Sequence, residues 1–144
     1  MILVSACLAG YRCRYDGRCK PDPEIIELVR AGAALPFCPE QAGGCEMPRP
    51  AAEIRGGTGE DVLCGKAKVL TSDGNDRTKQ FILGADEALR ICHMYAITKA
   101  VLKSKSPSCG CGQIYSGSFD GTMRSGNGVT TAMLLRDGIA VETR

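Results

Sequence analysis

Cysteine is the residue type in this chain best suited to chemistry. Nine cysteines occur among 144 residues, and an odd number excludes a framework in which every cysteine forms a disulfide. No two have the spacing of zinc-ribbon or thioredoxin motifs, and the contiguous cysteine runs of ferredoxins are absent. Metal ligation or thiol redox chemistry at a site assembled by the fold is therefore expected. The cysteines stand at positions 7, 13, 19, 38, 45, 64, 92, 109 and 111.

The composition is typical of one soluble globular domain, so residues 1–144 are expected to form a single domain. The net charge is +2 and no long basic run occurs, whereas a nucleic-acid surface needs a clustered basic stripe. A small-molecule partner is favoured, transfer RNA stays open but less favoured, and no oligomeric state is indicated. No apolar stretch approaches the ~20 residues that span a membrane. The apolar run 2–6 is interpreted as a strand rather than a secretory leader, and a cytoplasmic location is expected.

Apolar periodicity and turn residues predict the elements that position these thiols. The resulting order favours an α/β single domain of the Rossmann-like type, with a mainly parallel sheet flanked by helices. Residues 41–59 are rich in glycine and proline and are expected to form a loop. The predicted strands cover 2–6, 33–37, 62–63 with 67–70, 96–102 and 139–141, and the predicted helices cover 23–32, 76–94 and 129–138.

Three cysteines follow predicted strands at the point where each strand ends. Cys7 follows the first strand, Cys38 follows the second, and Cys109 follows the strand that ends near residue 102. Ligands of open α/β sheets bind outside the carboxyl ends of the strands, so these cysteine-bearing loops should share one rim. Cys13 lies in the same loop as Cys7 and is a candidate fourth member. The topology thus favours a metal site on these thiols.

Other candidate residues have simpler interpretations. Cys92 falls on the apolar stripe of the long predicted helix and is interpreted as a core residue, as is Cys64. His93 is interpreted as a helix-end residue. The amides of 126–128, at a predicted helix start, either bind an anion or form a tight turn, and the sequence leaves both interpretations open.

Three motifs resemble those of the thiouracil desulfidase family. The resemblance covers nearly the whole chain, with further matches near Gly126 and Asp137. Ala9 and Cys45 depart from the pattern, since apolar residues, Leu in the first case, are usual there. The motifs are Val4–Gly10 with Cys13–Gly17, Phe37–Glu40 with Pro48–Ile54, and Leu102–Gly110.

Membership of that family implies a [4Fe-4S] cluster held by three cysteines, with the fourth iron free to bind the sulfur of the substrate. Matched motif by motif, the ligands are Cys7, Cys38 and Cys109, the same thiols that the strand ends bring together. The implied reaction converts the C=S group of a thiolated pyrimidine to C=O and releases hydrosulfide, by hydrolysis and without external electrons. The alternative is a protein without enzymatic activity. It would either hold structural or regulatory zinc on these cysteines and Cys13, or sense redox state through its thiols.

The Cys-Pro-Glu motif assigns Glu40 the role of general acid/base, because Glu40 stands two residues after a ligand. The simpler interpretation is that Glu40 caps a helix or pairs with Arg49. For Arg49 and Glu53 a structural ion pair under the glycine-rich loop is the favoured interpretation.

The segment before Cys109 supplies the remaining candidates. The resemblance implies a catalytic serine here, and Ser104 is the preferred one because its hydroxyl group could orient the substrate or move a proton. Ser106 and Ser108 compete for that role and are otherwise candidate substrate-binding residues. Lys103 is expected to bind a ring oxygen or a phosphate.

Overall fold

A sheet of four parallel strands lies at the centre of the computed structural model, which describes residues 1–144. In chain order the strands are β1 (Ile2–Ser5), β2 (Ala34–Phe37), β3 (Ala52–Arg55), β4 (Lys68–Thr71), β5 (Lys99–Leu102), β6 (Gln113–Tyr115), β7 (Met123–Ser125) and β8 (Ala140–Thr143). The α-helices are α1 (Pro23–Arg30), α2 (Pro39–Ala42), α3 (Gly59–Leu63), α4 (Thr78–Met94) and α5 (Val129–Arg136), and a 3-10 turn covers Ala6–Ala9.

The central sheet has the spatial order β2-β1-β5-β8, and each neighbouring pair is parallel. Successive side chains of a strand point to opposite faces. Leu3 therefore packs with Ala88 of α4 and Leu134 of α5, whereas Val4 packs with Ile25 of α1. Helices thus cover both faces, and the predicted α/β fold with a mainly parallel sheet is confirmed.

The start of α1 follows the cap that the sequence predicts. The side chain of Asp22 accepts hydrogen bonds from the amides of Glu24 (3.0 Å) and Ile25 (3.4 Å). Pro23 occupies the first helical position, where its missing N–H has no intrahelical partner to lose. The helix therefore begins where local sequence chemistry favours it.

Three parts of the sequence prediction are wrong. The supposed loop 41–59 contains β3, which pairs in antiparallel register with β4. Residues 62–63 belong to α3 and not to a strand, because Thr58 and Asp61 form a capping box at the start of that helix. The hairpin of β6 and β7 is absent from the prediction. The strands β3, β6 and β7 are stabilised by pairing with a neighbouring strand, which local periodicity does not reveal, whereas the start of α3 has a local signal in Thr58 and Asp61.

Two glycines allow α2 and α4 to touch through their backbones. A Cβ atom on Gly84 would lie 1.9 Å from the carbonyl oxygen of Pro39, and one on Gly43 would lie 1.9 Å from that of Gln80. Any larger residue would separate the helices. The position of α2, which carries Glu40, is thus set by this close approach.

Cysteines outside the sheet rim have different environments. Cys92 lies on the buried face of α4 and is a core residue, as predicted. Cys64 is exposed at the end of α3, so its interpretation as a core residue is wrong, because the supposed strand is a surface helix. His93 lies near the end of α4, and its Nε2 atom is 2.6 Å from Oδ2 of Asp137.

No helix has both the length and the apolar character needed to cross a membrane.

Candidate active site

A cavity of about 260 Å³ opens at the carboxyl ends of β1, β2 and β5. The chain leaves β1 towards β2 and later returns on the other side of β1 to form β5. Open α/β sheets bind ligands where the strand order reverses in this way. The hydroxyl group of Ser5 bridges the two strand ends by accepting a hydrogen bond from the amide of Lys103 at 2.8 Å. The five cysteines that line the cavity are Cys7, Cys13, Cys38, Cys45 and Cys109.

Three separate elements position the thiols that follow the strands. Cys7 lies in the 3-10 turn after β1, and Cys38 is the N-cap residue of α2, directly after β2. Cys109 lies in a turn in which its amide donates to the hydroxyl group of Ser106 at 2.7 Å and its carbonyl oxygen accepts from the hydroxyl group of Thr131 at 2.8 Å. The structure therefore brings the three predicted thiols to one cavity.

Cys13 is buried next to the thiols of Cys7 and Cys38. Hydrogen bonding from Cys13 lowers the pKa of Cys38 to about 7 and also lowers the pKa of Cys7. The pKa of Cys13 itself is raised, chiefly by hydrogen bonding with Cys38 and Cys7 and also by burial, so its single S–H proton is shared between these two neighbours. Cys13 therefore acts as the hydrogen-bond donor of this group, and Cys7 and Cys38 ionise before it.

Cys109 differs from the other thiols because burial dominates its environment. Burial raises its pKa to about 12, although a hydrogen bond involving Ser5 acts in the opposite direction. The metal-free protein thus favours the neutral Cys109 thiol. Because metal ligands must be deprotonated, metal binding would release a proton at this position.

The chemistry of the cavity donors fits an iron–sulfur cluster. Cys7, Cys38 and Cys109 bring three sulfur atoms to one cavity, and thiolates are the ligands that hold such clusters.

Glu40 lines the cavity and forms an ion pair with Arg49. Nη2 of Arg49 is 2.5 Å from Oε2 of Glu40, and the two side chains are only 7% and 20% exposed. Burial alone would lower the pKa of Arg49, but the charge of Glu40 and the hydrogen bond to it outweigh burial and raise that pKa. The ion pair with Arg49, which was the simpler interpretation of Glu40, is therefore present. It orients the carboxyl group of Glu40 within the cavity.

The segment after β5 brings Lys103, Ser104 and Ser106 to the same cavity. Nζ of Lys103 donates to the hydroxyl oxygen of Ser104 at 3.1 Å. Burial and the positive charge of Arg14 lower the pKa of Lys103. The cavity that holds the thiols is therefore also lined by the hydroxyl group of Ser104 and the ammonium group of Lys103. The hydroxyl group of Ser106 lies there too and supports Cys109.

Ser108 does not line this cavity. It is buried against α5, and its hydroxyl group lies 2.9 Å from that of Thr130. The helix start beyond 126–128 has no free amides for an anion, because Gly128 donates to Gly110, Val129 to Pro107 and Thr130 to Ser108. Within 126–128, Gly126 donates to the carbonyl oxygen of Gly112 as Gly128 does to that of Gly110, so the hydrogen bonds favour the tight turn over an anion site.

Glu53 lines the cavity but does not pair with Arg49, so the predicted ion pair is wrong. Its Oε1 atom accepts hydrogen bonds from the amides of Gly117 (2.9 Å) and Phe119 (3.2 Å). Arg49 is occupied by Glu40, which the sequence motif places much nearer to Cys38. Glu53 lies within the motif Pro48–Ile54, but its hydrogen-bond partners are in the loop of the β6–β7 hairpin, which was not predicted.

The family model of 2-thiouracil desulfurase matches residues 2–144. The chain belongs to the 2-thiouracil desulfurase family. The match includes all three sequence motifs and every residue around the cavity described above. The resemblance drawn from those motifs is thereby confirmed.

Two proteins resemble this chain over nearly its whole length. The chain is 46% identical over 141 residues to the uncharacterized protein YbbK of Bacillus subtilis (strain 168). The aligned region covers 98% of this chain and 93% of YbbK. The chain is also 46% identical to the [4Fe-4S]-dependent thiouracil desulfidase TudS, with a TM-score of 0.88 over 99% of this chain and 89% of the TudS chain. The fold and its chain topology are therefore shared with a desulfidase of known structure.

Proposed function

We propose that this protein is an iron–sulfur-dependent desulfidase that converts the C=S group of a thiouracil-type pyrimidine to C=O and releases hydrosulfide. The observation that carries the proposal is the convergence of three strand-end thiols and one oriented carboxyl group on a single cavity. Membership of the family and the likeness to TudS support it. An iron–sulfur protein with nine free cysteines suits a reducing compartment such as the cytoplasm.

In this proposal Cys7, Cys38 and Cys109 hold a [4Fe-4S] cluster. A cluster held there would supply a Lewis acid for the sulfur of the substrate. Cys13 keeps its proton and offers its single S–H to Cys7 or Cys38, and such outer hydrogen bonds orient ligands and tune a metal centre.

The proposed chemistry adds water to the ring carbon of the C=S group and eliminates the sulfur. One C=S bond is replaced by one C=O bond, water supplies the oxygen, and the sulfur leaves as hydrosulfide with one proton released. No oxidant or reductant is needed. Glu40, whose carboxyl group is held in the cavity by Arg49, acts as the general base that takes one proton from the attacking water. It then passes that proton to the departing sulfur, while the second proton of the water is the one released.

Residues after β5 bind and orient the substrate. The Ser104 hydroxyl group, which receives a hydrogen bond from Lys103, can in turn donate to the ring and move a proton. Lys103 binds a carbonyl oxygen of the ring. Ser106 supports the turn that presents Cys109.

The proposal is tested by anaerobic reconstitution with iron and sulfide, followed by visible spectroscopy and iron and labile-sulfide analysis. A brown protein with about four irons per chain is expected. Turnover of thiouracil in H₂¹⁸O without added reductant should place ¹⁸O on the ring carbon. A colourless protein with one tightly held zinc ion would contradict the cofactor, and a strict requirement for a reductant would contradict the hydrolytic reaction.

A further inference from the structure

Glu53 is a buried carboxyl group that the proposed reaction does not use. It lies in β3, where its side chain lines the cavity and only 8% of the residue is exposed. No Lys, Arg or His side chain pairs with it, in contrast to Glu40. Burying a carboxyl group without a charged partner is costly, so its retention here requires a reason.

One oxygen of Glu53 is fully used by the protein. Oε1 accepts from the amides of Gly117 and Phe119, which belong to the loop between β6 and β7. Gly117 lies so close to β3 that a Cβ atom on it would be 2.5 Å from the carbonyl oxygen of Ile54, and Arg55 donates to its carbonyl oxygen at 3.2 Å. The carboxyl group is therefore held in one orientation.

The other oxygen, Oε2, has no hydrogen-bond partner in the protein. No fully buried side-chain oxygen or nitrogen atom of the molecule lacks a partner, so Oε2 is not sealed inside the core. Because the residue is almost entirely buried and lines the cavity, its free oxygen is accessible from the cavity. A fixed acceptor thus faces the space in which a ligand would bind.

We infer that Glu53 is a specificity-determining residue that accepts a hydrogen bond from the ring N–H of the pyrimidine between its C2 and C4 carbons. The inference rests on the proposed function, which supplies the pyrimidine. A carboxylate accepts hydrogen bonds and donates none, so it selects an N–H donor at this position. A ligand without that N–H would leave the buried carboxylate unpaired, which is the strongest kind of discrimination that a site can achieve.

Binding of uracil and 3-methyluracil to the anaerobic, cluster-loaded protein tests the inference. These probes differ only at the N–H in question and contain no sulfur to be removed. A hydrogen bond to a charged group predicts that the dissociation constant of 3-methyluracil, measured by titration calorimetry, exceeds that of uracil by at least about 10-fold. Equal dissociation constants would overturn the inference without the need for any variant.

The Glu53→Gln variant separates the hydrogen bond from simple exclusion of the methyl group by size. The amide oxygen of Gln can still accept from Gly117 and Phe119, while its NH₂ group replaces Oε2 and donates instead of accepting. The ratio of the two dissociation constants should fall to about 3-fold or less. The exposed Glu27→Gln variant removes the same charge outside the cavity and should keep the wild-type ratio.

An unchanged ratio in Glu53→Gln would contradict the role of Glu53, and a thermal melt establishes that the variant is folded. Release of sulfide from thiouracil, measured on the same wild-type sample, separates failure of the Glu53 inference from failure of the proposed desulfidase reaction. Sulfide release with an unchanged ratio overturns the inference alone. Selective uracil binding through Glu53 without sulfide release overturns the proposed reaction and leaves the binding role intact.

Discussion

Arg49 and Glu40 form an ion pair inside the cavity, with Nη2 of Arg49 2.5 Å from Oε2 of Glu40. The same nitrogen atom donates to the carbonyl oxygen of Cys13 at 3.0 Å. One buried guanidinium group thus joins the Cys-Pro-Glu motif to the loop that carries Cys13. The guanidinium group that holds the carboxyl group proposed for proton transfer therefore also fixes the loop that carries Cys13.

Glu40→Gln should abolish most of the turnover and leave the cluster in place. The amide oxygen of Gln can still accept from Arg49, so the cavity keeps its shape, but the side chain can no longer take a proton. General acid–base catalysis contributes roughly 10²–10⁴-fold, and kcat should fall by that amount. The measurement is sulfide release together with iron content, and normal turnover with a full cluster would show that Glu40 is only structural.

Serine substitutions test the ligand set. Cys7→Ser, Cys38→Ser and Cys109→Ser should each strongly lower the iron bound per chain after reconstitution, because each removes one of three thiolates. Cys64→Ser changes an exposed thiol and serves as the matched control with unchanged iron content. Loss of iron in Cys13→Ser, combined with retention in Cys109→Ser, would mean that a different set of thiols holds the cluster.

The thiol of Cys38 should be unusually reactive at neutral pH in the cluster-free, reduced protein. Hydrogen bonding from Cys13 lowers its pKa from 9.0 to about 7, and the thiolate is the nucleophile. Alkylation of Cys38 by iodoacetamide, followed by peptide mass spectrometry, should therefore accelerate with a midpoint near pH 7. Cys13→Ala removes the donor and should move the midpoint upward, whereas an identical profile in both proteins would contradict the hydrogen bond.

Gly84→Ala should destabilise the protein, although Ala normally favours a helix over Gly by about 1 kcal/mol. The added Cβ atom would lie 1.9 Å from the carbonyl oxygen of Pro39, so α2 must move away from α4. We expect the free energy of unfolding of the cluster-free protein to fall by about 1–3 kcal/mol in denaturant titrations.

Iron content should also fall in Gly84→Ala, because Cys38 immediately precedes α2. Leu83→Ala alters a half-exposed side chain on the same helix and should change stability much less. A more stable Gly84→Ala protein would show that the helices do not need this close approach.

The sequence predicts those features that depend on local patterns. Apolar runs locate the four parallel strands, and the loops that follow parallel strands lie at one edge of the sheet, so Cys7, Cys38 and Cys109 could be assigned to one rim. The Asp22 cap and the long helix α4 follow from residue chemistry and spacing in the same way.

Contacts between distant segments could not be predicted. Glu53 accepts from the amides of Gly117 and Phe119, which are 64 and 66 residues away along the chain. The amides after 126–128 meet the carbonyl oxygens of the turn before Cys109, which no local pattern reveals. The strands β3, β6 and β7 contain no unbroken apolar run of the kind that marks the four parallel strands, and they form by pairing with β4 or with each other.

Sulfide release from 2-thiouracil and 4-thiouracil by the anaerobically reconstituted protein, with the cluster-free protein as control, tests the central claim most directly. The account predicts that at least one of the two compounds yields equal amounts of sulfide and uracil over many turnovers, only when the cluster is present. Failure of the fully loaded protein to release sulfide from either compound, or equal release by the cluster-free protein, would contradict it.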